Sequence, residues 1–268
     1  MANTDYYDRF EDHKQQPKPE KEQRASVGET TYSLAKIFGY MFGGLLITAA
    51  VAAGLGVMFR YLLGIDYNNG VNANMQSTAA IVLIVLMIAS FIGIIIMSFV
   101  VPITAAKENH SALVPAIIYS ILMGVMLSTI TVFIPWFLLG ITFGITSAVF
   151  GLMALIAFLS KGRLNGLAIA AIGLLIGAAI LSGVLLLLML FGAIGGSMVW
   201  LYWVISLAIF AAVILITIWD LARIKKIAEQ GKLTNNLSLY CAYILYNDFI
   251  NIFLRILRIV LYIFARKN

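Results

Sequence analysis

The chain has 268 residues, of which 62% are hydrophobic and only 11% charged. Soluble domains carry about half apolar and a quarter charged residues, so this composition excludes the soluble, disordered and disulfide-stapled classes and points to a polytopic membrane protein. The formal net charge is +6, and the single cysteine, Cys241, has no partner for an internal disulfide and no companions for a metal cluster.

Residues 1–33 are the one long polar stretch. They hold seven acids, five bases, Pro17 and Pro19, and few aliphatic side chains. Such a segment cannot bury a core and reads as a disordered tail. It has no basic stretch leading into a short apolar run with a cleavage site, so it does not read as a signal peptide. Residues 34–268 read as a transmembrane domain. The spacing of apolar runs predicts helices over about 35–63, 78–104, 112–133, 136–160, 166–191, 198–227 and 237–264, roughly one per 25–30 residues. The breaks fall at the Asn-rich 65–77 loop, Lys107–Ser111, Pro135, Lys161–Asn165, the glycines at 192, 195 and 196, and Gln230–Asn236. The fold class is therefore an all-α integral membrane protein, a seven-transmembrane-helix bundle.

Lysine and arginine divide unevenly between the two sides. The tail, Lys36, Lys107, Lys161, Arg163, Arg223, Lys225, Lys226 and Lys232 put thirteen on one side; Arg60, Arg266 and Lys267 put three on the other. Positive-inside reasoning places the N-terminus in the cytoplasm. Seven full spans leave the C-terminus outside; a re-entrant seventh helix returns it to the cytoplasm.

Several chemistries are absent from the spans. Both histidines, His13 and His110, lie outside them. That removes an intramembrane zinc protease, which needs His ligands at helical spacing, and a Ser-His protease. Helix 7 has no lysine before Lys267 for a retinal Schiff base, and no P-loop or dinucleotide fingerprint appears. Neither a cofactor nor a nucleic-acid partner is expected. Small-xxx-small pairs at Gly39/Gly43, Gly140/Gly144 and Gly173/Gly177 read as close helix packing.

Ionisable groups at membrane depth are costly, so each is a functional hypothesis. Asp220 falls near the end of helix 6, and Asp248, Arg255 and Arg258 fall in helix 7. Positions 220 and 248 are equidistant from Thr234, in the turn between the two helices. In an antiparallel pair rising about 1.5 Å per residue, the two aspartates are level to within about one turn. Two carboxylates in a poorly solvated site cannot both ionise comfortably, so such a pair shares a proton. Doubly ionised, it offers oxygen ligands to a hard cation such as Ca²⁺. Asp248, Asn251, Arg255 and Arg258 recur at i, i+3, i+7 and i+10, a polar stripe expected to face the bundle interior. Arg258 is also long enough to snorkel to the interface. Tyr240, Tyr243 and Tyr246 read as interface anchors, although a tyrosine hydroxyl can also bond a carboxylate.

Helix 6 into helix 7 reads Ile218-Trp219-Asp220-Leu221-Ala222-Arg223, then Asn247-Asp248-Phe249-Ile250-Asn251-Ile252-Phe253. This resembles the C-terminal signature of the Bax inhibitor 1-like (transmembrane Bax inhibitor motif, YccA-like) family. Phe143–Phe150 is similar to its fourth helix, and Ser128 fits its third. The resemblance covers about residues 105–265. It implies a bundle with helix 7 central, and a pH-sensing pair of aspartates, here Asp220 and Asp248, at a cytoplasmic-side gate. It further implies a proton-sensitive Ca²⁺ leak and, for bacterial members, modulation of a membrane-anchored ATP-dependent protease. Some members carry an arginine at the start of helix 3 that pairs with the aspartates. This chain has Lys107 and His110 in that neighbourhood as its basic candidates, and Trp219 where tyrosine is frequent.

The resulting expectation is a non-enzymatic, pH-sensitive calcium (cation) leak channel in a bacterial plasma membrane, with the bilayer, Ca²⁺ and protons as its partners. The alternative is a non-conducting regulator of a membrane protease or another membrane protein. An intramembrane aspartyl protease fits poorly, because no Gly-x-Gly-Asp context surrounds either aspartate.

Overall fold

A computed structural model describes residues 26–64, 77–107, 111–160, 165–190, 199–231 and 233–265. These form seven helices: α1 (Val27–Leu63), α2 (Ser77–Ala105), α3 (Leu113–Phe133), α4 (Trp136–Leu159), α5 (Asn165–Leu190), α6 (Val199–Glu229) and α7 (Asn235–Ala265). Among the described residues there is no strand. The molecule is an all-α membrane bundle. Six of its helices are long and apolar enough to cross a membrane; α7, which carries Asp248, Arg255 and Arg258, is not one of the six.

Most helix ends fall within a few residues of those expected. The start of α1 differs: it begins at Val27, inside the stretch read as tail. The Ser26 hydroxyl accepts from the Glu29 amide, and the Glu29 carboxylate accepts from the Ser26 amide at 2.8 Å, a reciprocal capping box. That local signal starts a helix that polar composition alone hides. Residues 1–25 lie outside the described residues. Between α3 and α4 the break is short. Ile134 is extended, and the Pro135 carbonyl accepts the Leu138 and Leu139 amides in the first turn of α4. Between α6 and α7, Gly231 adopts φ 67°, a left-handed conformation that a side chain disfavours, and turns the chain back.

Helix α7 is the hub. It packs against α1, α2, α3, α4 and α6, whereas α5 packs mainly on α6. Leu245, Phe249 and Ile252 of α7 join Phe150 and Met153 of α4 and Ile37 and Met41 of α1 in the main core. The outer faces remain apolar, as at Ile84, Ile88 and Phe91 of α2, because their solvent is hydrocarbon. Hydroxyls inside the bundle turn inward to their own helix. Thr142, Thr146 and Thr217 donate to carbonyls four residues earlier at 2.7–2.9 Å. An unsatisfied polar group would be expensive there.

The Gly39/Gly43, Gly140/Gly144 and Gly173/Gly177 pairs do not mediate close packing between these helices, since a Cβ at any of the six meets nothing within 4 Å. The tight approaches occur elsewhere. At Gly56 an added Cβ lies 2.0 Å from the Thr131 hydroxyl, and at Gly124 it lies 2.9 Å from the Thr48 carbonyl. These glycines bring the α1 and α3 backbones together.

Candidate functional site

Helices α6 and α7 meet with their acids between them. Asp220 is buried at 8% exposure, near the end of α6 that leads into the turn. Asp248 is half-buried, and its Oδ2 is sealed from solvent with no hydrogen-bond partner. The charge of Asp220 acts on Asp248, and the fully buried Thr217 hydroxyl, one turn before Asp220, lies beside the Asp248 carboxyl. Neither carboxylate forms a salt bridge with a described basic side chain. Arg223 acts on Asp220 through space only. Its side chain is exposed, and its guanidinium sits 5.3 Å over the Trp219 ring. Among the described residues there is no group of three or more His, Cys, Asp or Glu that includes the two acids.

The polar stripe of α7 divides. Asp248 and Arg255 are half-buried, but Asn251 and Arg258 are exposed. At 3.6 residues per turn, Arg255 lies about 20° around the helix from Asp248, whereas Asn251 and Arg258 lie about 60° and 80° away on the same side. That rotation carries them out of the packed face. Arg255 faces α6, where its Nη1 donates to the Ser206 carbonyl at 3.5 Å. Lys107 is exposed at the end of α2, and its carbonyl accepts from Asn236. His110 lies outside the described residues.

Tyr246 of α7 takes a different role from the interface anchor expected of it. Tyr246 is 3% exposed and sits in the interior, 2.6 Å from the Thr48 hydroxyl. Thr48 donates its one proton to the Ser120 carbonyl at 2.9 Å, so Tyr246 is the donor to Thr48. Nearby, the Tyr119 hydroxyl donates to Asn247 Oδ1 at 2.6 Å, and the Tyr119 ring packs edge-on against Tyr243 and Tyr246. This network ties α7 to α1 and α3, on the side away from Asp248. The sequence offered no signal for it beyond the presence of hydroxyls at membrane depth. Asn236 also does more than mark a turn. Its Nδ2 donates to the Lys107 carbonyl at 3.0 Å and its Oδ1 accepts from the Ala112 amide at 3.4 Å, joining the end of α2 and the start of α3 to the start of α7.

With this geometry in place, comparison with known proteins decides the family. The family model described as inhibitor of apoptosis-promoting Bax1 matches residues 31–266. The chain belongs to this Bax inhibitor family. It is 29% identical over 238 residues to inner membrane protein YbhL of Escherichia coli K12, a match covering 87% of this chain and 92% of that protein. The YbhL of Escherichia coli O6:H1 strain CFT073 matches to the same extent. No solved structure matches the chain. The family match includes all seven helices, and so reaches further toward the N-terminus than the motifs of helices 3–7.

Proposed function

We propose that this Bax inhibitor family protein is a pH-sensitive cation leak channel of a bacterial inner membrane, with Ca²⁺ as its permeant ion. What supports the reading is an acid on each of two packed helices: Asp220 is buried on α6, and the half-buried Asp248 on α7 has one carboxylate oxygen sealed and unpartnered. A proton on either acid leaves at most one charge at the contact between α6 and α7. Its loss leaves two like charges across that contact, which repel and also attract a divalent cation. The pair is thus a two-state element whose equilibrium pH can bias. The N-terminus is assigned to the cytoplasm from the lysine and arginine distribution. The acids then lie toward the cytoplasmic half, since Lys36 near the start of α1 bonds Asn235 at the start of α7.

The test is Ca²⁺ entry into liposomes holding the purified protein, with Asp220→Asn and Asp248→Asn beside the wild type. A pH-dependent flux in the wild type that either substitution flattens supports the proposal. No flux above empty liposomes at any pH overturns it and favours a non-conducting regulator, such as one acting on a membrane-anchored protease.

A further inference from the structure

Thr217 stands one turn before Asp220 on α6 and is 0% exposed. Its hydroxyl donates to the Val213 carbonyl at 2.9 Å. It also lies beside the carboxyl of Asp248, whose Oδ2 is sealed and unpartnered. A hydroxyl has one proton and two lone pairs. With that proton on Val213, Thr217 offers Asp248 only a lone pair, which suits a carboxylic acid and opposes a carboxylate. The Val213 carbonyl is also the helical acceptor for the Thr217 amide, so the hydroxyl can turn away without orphaning it.

The other ionisable groups around α7 have different partners. Helices α2, α3 and α4 carry no charged side chain, and Tyr119 of α3 donates to Asn247. On α1, Glu29 closes the Ser26 cap, Lys36 bonds Asn235 about 20 Å along α7 from Asp248, and Arg60 bonds the Thr131 carbonyl. On α7, Arg255 donates to the Ser206 carbonyl and Tyr246 to Thr48, and the Cys241 thiol is near Asp220. On α6, Asp220 supplies the like charge, with Arg223 acting on Asp220.

We propose that Thr217 is the positioning residue of the pair: its hydroxyl accepts from Asp248 when that acid is protonated, and turns from Val213 to donate to it when the acid is ionised. On ionisation the Asp248 proton goes to solvent and the hydroxyl proton only changes acceptor, so no further group is needed. The hydrogen bond belongs to the fold; its part in gating rests on the reading of the acids as a pH-sensitive pair.

Infrared difference spectra of the purified full chain, low pH minus high pH, test the hydrogen bond without any flux. The protonated-carboxyl band lost in Asp248→Asn belongs to Asp248. That band should move to higher frequency in Thr217→Val, which keeps the shape and removes the hydroxyl, and return in Thr217→Ser. Ser182→Ala, which removes a back-bonded hydroxyl on α5, should leave it in place. In liposomes, the midpoint of the Ca²⁺ flux profile should shift by about one pH unit toward higher pH in Thr217→Val, a tenfold change in the proton equilibrium, because the bond to the charged form is the stronger of the two. Thr217→Ser should keep the wild-type midpoint. A band unmoved in Thr217→Val, as when Asp248 bonds Asp220 instead, overturns the assignment. So does the lack of an Asp248 band at any pH, or a shift that Thr217→Ser does not reverse. A band that responds as expected in a protein without flux upholds the hydrogen bond and overturns only the gate.

Discussion

At the scale of single residues, the contact between α1 and α3 turns on Gly56 and Thr131. The Thr131 hydroxyl bonds the Ala52 carbonyl at 2.8 Å and occupies the space that a Cβ on Gly56 would need. Gly56→Ala should therefore lower stability by about 1–3 kcal/mol, the usual cost of overpacking, with Thr131→Ala recovering part of the loss in the double variant. Thermal unfolding in detergent reads both. Tyr246→Phe removes the donor to Thr48 and should cost about 1 kcal/mol in the same measurement, without touching the acids. Neither contact was legible in the sequence. Thr48 and Tyr246 are 198 positions apart. Gly56 is one of 22 glycines, and its need for close approach appears only once α3 lies against it. The expected level of Asp220 and Asp248 rests on their equal distance from Thr234 and on helix rise alone. Depth did not fix direction. The stripe from Asp248 to Arg258 drifts around α7, which leaves Asn251 and Arg258 exposed.

At the scale of elements, the helices announce themselves by length and apolarity, and their ends by Pro135, Gly231 and the polar loops. The start of α1 escaped that reading because the Ser26–Glu29 box lies among charged residues. The glycine pairs were misread for a different reason. Where lipid is as apolar as protein, hydropathy does not say which helix face meets a neighbour, so a small-residue stripe marks packing in one helix and an open groove in another. Asn236 gives a test at this scale. It holds the start of α7 to the end of α2 and the start of α3 through two hydrogen bonds. Asn236→Ala should cost about 1–2 kcal/mol and speed hydrogen exchange at the Ala112 amide. Amides in the middle of α4 should keep their protection.

At the scale of the whole molecule, the bundle is organised around its least apolar long helix. α7 can carry Asp248 and Arg255 because five other helices pack against it, whereas the uncharged α5 packs mainly on α6 and leaves Ile169, Ile172, Ile176 and Ile180 exposed. The asymmetry of lysine and arginine sets the proposed orientation, which single cysteines can check. Cys241 is 2% exposed and gives little background. A maleimide that cannot cross the membrane should label Tyr61→Cys in intact cells, and Lys226→Cys only after permeabilisation. The reverse pattern would invert the topology. The central claim is that Asp220 and Asp248 act together as a proton-controlled gate, and liposome Ca²⁺ flux scanned from about pH 6 to about pH 8 tests it most directly. Flux through the wild type should change with pH, and both Asp220→Asn and Asp248→Asn should lose that dependence. A wild-type flux whose pH profile survives both substitutions unchanged would contradict it.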